Sequence, residues 1–198
     1  MRSLLVMLTL AAGSASSASC DPARFKHALS ESAKAPLDPR LPGVWAGRIG
    51  DAESTLHFVP RDDGRLDVAL VAAAPKDGAT LLAYEGTPAT VGGRLYMNLR
   101  EKRYTDAFNN KYELTPGYLL MRIDFEPNGA FVVSSPTNET VEAAGKALHT
   151  EAKTRFVTDE VAALGAWVAK PEGAAAFKRM GRFAKANLDY GPLATPTP

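Results

Sequence analysis

Between residues 43 and 135, apolar and polar residues alternate in a series of short segments. A period of two places the apolar side chains on one face of a strand, as a half-buried antiparallel sheet requires. The sequence therefore predicts a mainly β protein built on an antiparallel meander. The segments that alternate in this way are residues 56–58, 66–70, 95–99, 119–125 and 131–133.

Turn-forming residues separate these segments at roughly even spacing. Tight hairpins need a positive φ, which glycine adopts without steric cost. The pattern therefore favours consecutive hairpins, but it does not show where the sheet edges lie, so an open meander and a small closed barrel are both compatible with it. The predicted turns are Asp62-Asp63-Gly64, Lys76-Asp77-Gly78, Gly92-Gly93 and Asn128-Gly129.

Residues 1–19 have the pattern of an export signal. Arg2 precedes an apolar core, residues 4–13, that is too short for a stable membrane span, and small residues follow it. Cys20 is the single cysteine of the chain, so no intramolecular disulfide can form. It stands where bacterial lipoproteins are lipidated, although Ser17 departs from the aliphatic residue of that pattern. We expect a periplasmic, lipid-anchored or secreted protein, and the sequence leaves lipidation of Cys20 open.

The charge balance argues against one class of partner. Arg2 is the only charged residue of the export signal, so its removal leaves 22 basic and 22 acidic groups. Nucleic-acid-binding proteins carry an excess of positive charge, and this chain has none. We therefore expect no nucleic-acid partner.

A single domain is predicted over residues 41–190. Residues 20–40 before it are predicted to form a short helix, within 21–34, and then a proline-rich linker. Residues 191–198 after it form a proline-rich tail that is predicted to be disordered. The polar segment from Glu101 to Glu113 is predicted to be a long loop between strands.

The residues after Ser135 are predicted to be helical. One helix is expected over residues 136–148, a second is capped by Thr158, and a third begins at Pro171. The third would place its apolar residues opposite a basic cluster. That cluster either forms a solvated face or contacts an anionic membrane surface. It consists of Lys178, Arg179, Arg182 and Lys185.

Gly43-Val44-Trp45, placed before the first strand of the meander, resembles the G-x-W signature of lipocalins. In that family the tryptophan plugs one end of an eight-stranded barrel that carries small apolar ligands. The chain also resembles a group of uncharacterised bacterial exported proteins and lipoproteins over most of residues 41–180. These share Leu-Pro-Gly-x-Trp, a glycine hairpin like that at Gly92-Gly93 and a helix-rich C-terminus. The resemblance implies a lipocalin-like barrel packed by C-terminal helices, with Trp45 buried at one end, and it implies no activity.

The motifs of common enzymes are absent from the sequence. It contains neither G-x-S-x-G nor H-E-x-x-H, and His27, His57 and His149 are too far apart to show metal-ligand spacing. We therefore assign no catalytic residue, metal or cofactor, and enzymatic activity is unsupported. A hydrolase would require His57 or His149 to meet a carboxylate and a hydroxyl group in space.

The leading hypothesis is a non-enzymatic binder of a small apolar or amphipathic molecule in the cell envelope. Inward-facing methionines support it, because their flexible side chains suit adaptable pockets. The alternative is an envelope structural or interaction protein with an unidentified partner, since a barrel of eight strands is only just wide enough for its own side chains. The predicted ligand-binding residues are Trp45, Phe58, Tyr84, Met97 and Met121.

Overall fold

The structure is a computed structural model that describes residues 22–30, 36–74, 78–105, 116–143, 148–150 and 157–186. The export signal, Cys20 and the C-terminal tail lie outside the described residues, so the predictions made for them stay predictions. Within the described residues the chain is mainly β, with three short helices near the C-terminus.

The described part of the chain forms nine strands and three helices. Alternating apolar residues and glycine turns produce most of the strands, as the sequence predicts. The strands are β1 (Arg24–Phe25), β2 (Gly43–Ile49), β3 (Ala52–Pro60), β4 (Leu66–Ala74), β5 (Gly78–Val91), β6 (Arg94–Thr105), β7 (Tyr118–Phe125), β8 (Phe131–Pro136) and β9 (Phe177–Lys185). The helices are α1 (Asn138–Ala143), α2 (Val161–Ala169) and α3 (Pro171–Ala175).

Strands β2 to β9 close into an antiparallel barrel of eight strands. Each strand pairs with its neighbours in sequence, and β9 pairs with both β8 and β2 to complete the ring. Strand β1 adds to the start of β7, at Tyr118 and Leu119, and the later part of β7 pairs with β8. Closure removes the exposed edges that an open meander would leave. The barrel alternative is therefore confirmed.

Two hydrophobic cores share the barrel wall. One lies inside the barrel and includes Trp45, Phe58 and Phe131. The other lies outside it, where the short helices and the segment around Phe25 cover the outer face of β5, β6 and β7. Strands in this part of the wall are buried on both faces, so their sequences lose the contrast between apolar and polar positions.

Asn98 fixes the N-terminal segment to the barrel. It lies buried on the outer face of β6, where its side-chain oxygen accepts a hydrogen bond from the Leu29 amide at 2.7 Å. Its amide nitrogen donates to the Thr87 carbonyl oxygen at 3.0 Å. One side chain therefore links residue 29 to strands β5 and β6.

Most of the predicted hairpins are present. The predicted alternating segments lie in β3, β4, β6, β7 and β8, and positive φ is found at Gly64, Gly92, Gly93 and Gly129. Gly78 also has a positive φ, but its neighbours Lys76 and Asp77 lie outside the described residues. The predicted loop from Glu101 is wrong at its start, because β6 continues to Thr105. The remainder of that loop to residue 113 is not described.

The predicted N-terminal helix is wrong over the residues that can be compared. Residues 22–30 contain β1 and bends, with no helical turn. Phe25, Ala28 and Leu29 have helical spacing, but tertiary contacts override it. Phe25 pairs with Tyr118 of β7, and the amide of Lys26 donates to the Val157 carbonyl oxygen at 2.8 Å.

The third predicted C-terminal helix is wrong beyond Ala175. Only α3 is helical, and the chain then forms β9, the strand that closes the barrel. Met180 has no partner on β8, because Gly181 pairs with Val133 while Arg179 pairs with Ser134. This β-bulge inserts one residue and spaces the apolar side chains by three, which mimics a helix.

The other two helices are shorter than predicted or begin elsewhere. Helix α1 covers part of the first predicted helix, and residues 144–147 are not described. Helix α2 begins at Val161 after Glu160, so Thr158 is not its cap. Of the residues predicted to face inward, which are Val161, Leu164 and Trp167 or Val168, the structure buries Leu164, Trp167 and Val168 and leaves Val161 partly exposed.

Candidate functional site

One half of the barrel interior contains an apolar cavity of about 180 Å³. It lies toward the end that carries the β2–β3 turn, because its walls include Ile49 at the end of β2 and Leu70 in the second half of β4. Among the described residues that line it, Tyr84 and Ser135 contribute the only hydroxyl groups. Ser135 donates its hydroxyl proton to the Leu120 carbonyl oxygen at 2.9 Å, so it presents little unsatisfied polarity to the cavity.

The opposite half of the barrel is filled by aromatic rings. The ring of Phe131 lies 4.6 Å from that of Trp45 and 5.7 Å from that of Phe183, measured between centroids. Phe58 and Phe125 complete the group at 6.2 Å and 5.6 Å from Phe131. The Phe131 ring meets those of Trp45, Phe58 and Phe125 at 60–75° and stacks on that of Phe183 at 26°, and rings packed in this way leave little space between them. This half is a packed core, and the cavity is confined to the other half.

The segment before β2 covers the aromatic end. Trp45 donates its indole N–H to the carbonyl oxygen of buried Leu41 at 2.9 Å. The guanidinium carbon of Arg40 lies 3.9 Å from the centroid of the Phe125 ring. Arg40 Nη2 donates a hydrogen bond to Asp38 Oδ2 at 2.6 Å, which keeps the guanidinium in this position. Proline-rich residues 36–42 therefore form a lid over the end of the barrel that Trp45 fills. The predicted burial of Trp45 is confirmed, at 2 % exposure.

All five predicted ligand-binding residues belong to the core inside the barrel, but they divide between its two halves. Tyr84 and Met121 line the cavity. Trp45, Phe58 and Met97 are fully buried and are not among the residues that line it. The sequence therefore identifies the inward face correctly, and binding itself stays a prediction for each of the five.

Aliphatic residues other than the five predicted ones make up most of the wall. Leu56, Leu70, Leu82, Leu99 and Leu119 all line the cavity. Alternation marks several of them as inward-facing, and nothing in the pattern distinguishes them from residues of the packed half. Met180 also lines the cavity, and its inward orientation depends on the bulge in β9.

An ion pair lies on the inner face next to the cavity. Arg24 is the partner of Leu119 across β1 and β7, and Glu101 is the partner of Tyr84 across β5 and β6. Directly paired residues place their side chains on the same face of a sheet, so both charged groups share the inner face with these cavity-lining residues. Arg24 Nη2 donates to Glu101 Oε2 at 2.9 Å.

The two histidines named for a hydrolase do not assemble a catalytic group among the described residues. His149 Nδ1 lies 2.9 Å from Asp159 Oδ1, but the imidazole is 88 % exposed and the Thr158 hydroxyl bonds to the His149 carbonyl oxygen. His57 Nε2 lies 3.2 Å from the Thr55 hydroxyl. No carboxylate among the described residues forms an ion pair with His57. Each histidine therefore has one of the two partners that such chemistry needs.

A second charged cluster lies on the outer face of the barrel, around Glu85 of β5. Its carboxylate lies 2.7 Å from Arg100, 3.2 Å from Arg65, 3.3 Å from Arg61 and 3.5 Å from Lys102. Burial alone would raise the pKa of Glu85, but the charges of Arg100, Lys102 and Arg65 outweigh it and hold that pKa below its ordinary value of 4.5. The cluster connects β5 with β6 and the β3–β4 turn.

We expect Glu85→Gln to lower the free energy of unfolding by about 1 kcal/mol at neutral pH, because the four cations are partly exposed and screened. The folded pKa lies below that of the unfolded chain. The carboxylate therefore stabilises the fold above about pH 4.5, and the contribution is lost as the pH falls through the folded pKa. Urea denaturation of the wild type and the variant should show a difference that shrinks in acid.

Glu53→Gln is the matched control for this prediction, since Glu53 is exposed on β3 and has no ion pair among the described residues. Its effect should be small at every pH. A Glu85→Gln difference that keeps its size in acid would contradict the interpretation.

The predicted basic cluster lies on β9 and not on a helix. Arg182 donates to Glu126 at 2.6 Å, which lowers the pKa of Glu126 through that hydrogen bond. Lys185 donates to the Pro42 carbonyl oxygen at 3.1 Å, and its Nζ lies 5.2 Å from the centroid of the Trp45 ring. Lys178 and Arg179 are consecutive residues of the strand, and both are exposed. Contact with an anionic membrane surface stays a prediction.

The described residues contain no group of three or more His, Cys, Asp or Glu side chains arranged to hold a metal ion. Among the described helices, none has the length and apolar character needed to cross a membrane.

The fold defines a class, the closed antiparallel β-barrel of eight strands, and it is consistent with the lipocalin-like architecture that Gly43-Val44-Trp45 suggests. No family model, curated protein or solved structure matches the chain. The lipocalin likeness therefore rests on the barrel and on the position of Trp45 inside it.

Proposed function

We propose that this protein binds one small apolar or amphipathic molecule inside its barrel, in the cell envelope, and does not transform it chemically. The observation that carries the proposal is the apolar cavity of about 180 Å³. A barrel of eight strands can fill its interior completely with side chains. Here aromatic rings fill one half, and aliphatic side chains leave space in the other.

The dimensions of the cavity set the size of the ligand. An engineered apolar cavity of about 150 Å³ in another protein stays free of water and binds benzene. A volume of about 180 Å³ is therefore suited to a ring or short chain of about six carbon atoms. A longer chain would have to extend through the end of the barrel that carries the β2–β3 turn.

The outer surface gives less support to the alternative of a docking protein. Val59, at 56 % exposure, is the only large hydrophobic residue that the described surface exposes. A protein-docking site usually presents a contiguous apolar patch of several hundred Å². The apolar cavity that the described residues form lies inside the barrel, which is where a carrier needs it.

A benzene titration followed by NMR of the methionine and leucine methyl groups would test the proposal. In the wild type, methyl groups of Met121 and Leu70 should shift and saturate. Leu82→Trp should abolish the shifts, because Leu82 lines the cavity and the indole would fill it. Val59→Trp places the same ring on the outer surface and should bind benzene like the wild type.

Two results would refute the proposal: a wild type that shows no saturable shifts, or a Leu82→Trp variant that binds as well as the wild type. Native mass spectrometry of protein purified from its own envelope would then identify the natural ligand. We expect one small molecule per chain.

A further inference from the structure

The outer wall of the barrel carries a positively charged groove of about 530 Å³. It lies over the pairing of β2 with β9, the two strands that complete the ring. Three arginines line it, Arg48, Arg179 and Arg182, together with small residues such as Ala46 and Ala184. No acidic residue is among the described residues that line this arginine groove.

Two of the arginines face each other across the strand pair. Arg48 of β2 is the direct cross-strand partner of Arg182 of β9, and like charges in this position destabilise a sheet. Glu126 compensates Arg182, which donates to Glu126 Oε2 through Nε at 2.9 Å and through Nη2 at 2.6 Å. Arg48 pairs with Glu53 on its other side, but it donates only to the Asp51 carbonyl oxygen at 3.1 Å and forms no ion pair among the described residues. An anion in the groove would relieve this repulsion.

Arg179 adds a third cation to the same face. It is the cross-strand partner of outward-facing Ser134 on β8, and it is exposed. No hydrogen bond or ion pair joins its side chain to the part of the chain that the structure describes. The hydrogen bond from Arg182 lowers the pKa of Glu126, and the charge of Arg179 lowers it further, so Arg179 lies near that pair. Its guanidinium group is available to a ligand from outside.

The two lysines of the predicted basic cluster do not belong to this surface. Lys178 is the partner of Ser135, which lines the internal cavity, and Lys185 is the partner of Trp45 in the internal core. Directly paired residues place their side chains on the same face of a sheet, so both lysines are directed to the inner side. The structure therefore replaces the predicted cluster with a different set of three cations, all on the outer face.

We propose that the arginine groove docks the barrel on an anionic membrane and that its guanidinium groups contact the phosphates of lipid headgroups. Guanidinium binds phosphate through two parallel N–H donors, a geometry that lysine lacks. The inference goes beyond the proposed function and is independent of it, because the groove lies outside the barrel and the cavity lies inside.

The exposure of the arginines favours a membrane over a soluble phosphate. Exposed charges hold a single small anion weakly, since water and salt screen them. A membrane presents many phosphates at once, and each cation near its surface raises binding about fivefold, so three raise it about 100-fold. A protein partner is less well supported, because Val59, the only large hydrophobic residue that the described surface exposes, does not line the groove.

Co-sedimentation of the full chain with lipid vesicles would test the proposal. One set of vesicles contains phosphatidylcholine alone, and the other also contains anionic phosphatidylglycerol. The measured quantity is the ratio of the two partition coefficients, in which the contribution of any lipid anchor cancels. The ratio should be well above one at low salt and approach one at high salt, because salt screens the attraction. Equal binding to both vesicles at low salt would overturn the proposal.

The double variant Arg48→Gln/Arg179→Gln should lower this ratio at least about 10-fold. Lys26→Gln/Lys170→Gln is the matched control, since it removes the same charge from two exposed residues that do not line the groove, and its ratio should stay close to that of the wild type. Urea denaturation should show that the arginine variant is as stable as the wild type, because it removes one of two opposed cations. Equal losses in the two variants would mean that net charge, and not the groove, controls binding.

A change in the opposite direction tests Arg182. Glu126→Gln leaves its guanidinium unpaired and should raise the ratio about fivefold, whereas Glu142→Gln on α1, with an exposed side chain outside the groove, should change it little. No rise for Glu126→Gln would contradict the role of Arg182. Inorganic phosphate added at constant ionic strength should leave vesicle binding unchanged. Displacement of the protein by millimolar phosphate would assign the groove to a soluble ligand and overturn the membrane assignment.

Discussion

Replacing Trp45 with alanine is expected to lower the free energy of unfolding by about 3–5 kcal/mol, the range typical of emptying a buried aromatic site. The indole is 2 % exposed and packs against the rings of Phe131 and Phe125. Its loss would leave a cavity in the half of the barrel that is otherwise filled. It would also leave the carbonyl oxygen of buried Leu41 without its donor.

Chemical denaturation of Trp45→Ala and of Val59→Ala would measure this effect. Val59 is an exposed strand residue of the same barrel, so its replacement should cost less than about 0.5 kcal/mol. Trp45→Phe should give an intermediate loss, because it keeps a ring but removes the N–H donor. A loss below about 1 kcal/mol for Trp45→Ala would contradict the view that this residue anchors the closed end.

The parts of the fold that the sequence predicts are those that local patterns determine. In β3 and β4, one face is buried and the other is exposed or partly exposed, so apolar and polar residues alternate with a period of two. Glycine turns mark the ends of these strands, so both signals predict the same two strands. Strand β5 shows the limit. Its outer-facing Glu85, Thr87 and Ala89 are also buried, by the charged cluster and by the second core, so the alternation that would reveal the strand is missing.

The sequence predicts a helix in place of strand β9 for a different physical reason. Phe177, Met180 and Phe183 recur at every third residue because the bulge at Met180 inserts one residue into the strand. Phe177 faces the outer core, and Phe183 faces the inside of the barrel. Such a strand changes which face its apolar residues cover partway along its length, and a sequence pattern based on one face cannot detect it.

The candidate site depends on contacts that sequence spacing does not contain. Arg24 and Glu101 are 77 residues apart, and they meet because β1 joins β7 in one particular register. Likewise, the inward residues of both barrel halves are apolar. Only the assembled barrel shows that Phe58, Phe131 and Phe183 gather at one end and leave leucines to surround a cavity at the other.

Gly47→Ala is the second substitution for which we expect a large effect, because it alters the pairing of β2 with β9 that closes the barrel. A Cβ on Gly47 would lie 2.1 Å from the Arg182 carbonyl oxygen and 2.8 Å from Phe183 Cδ1. The first of these atoms belongs to the backbone of the partner strand and cannot rotate away. Gly181 makes the reciprocal approach, since its Cβ would lie 2.3 Å from the Arg48 carbonyl oxygen.

The methyl group of Gly47→Ala can therefore be accommodated only if the two strands separate, and we expect a loss of about 3 kcal/mol or more, at the upper end of overpacking effects. Hydrogen exchange should show lost protection first at the amides of β2 and β9, with β3 and β4 protected longer. Gly165→Ala is the control, because no atom apart from its own helix backbone lies within 4 Å of its added Cβ in helix α2. There alanine should stabilise the protein by about 0.5–1 kcal/mol. A Gly47→Ala protein as stable as the control would mean that the barrel does not close through this pair of strands.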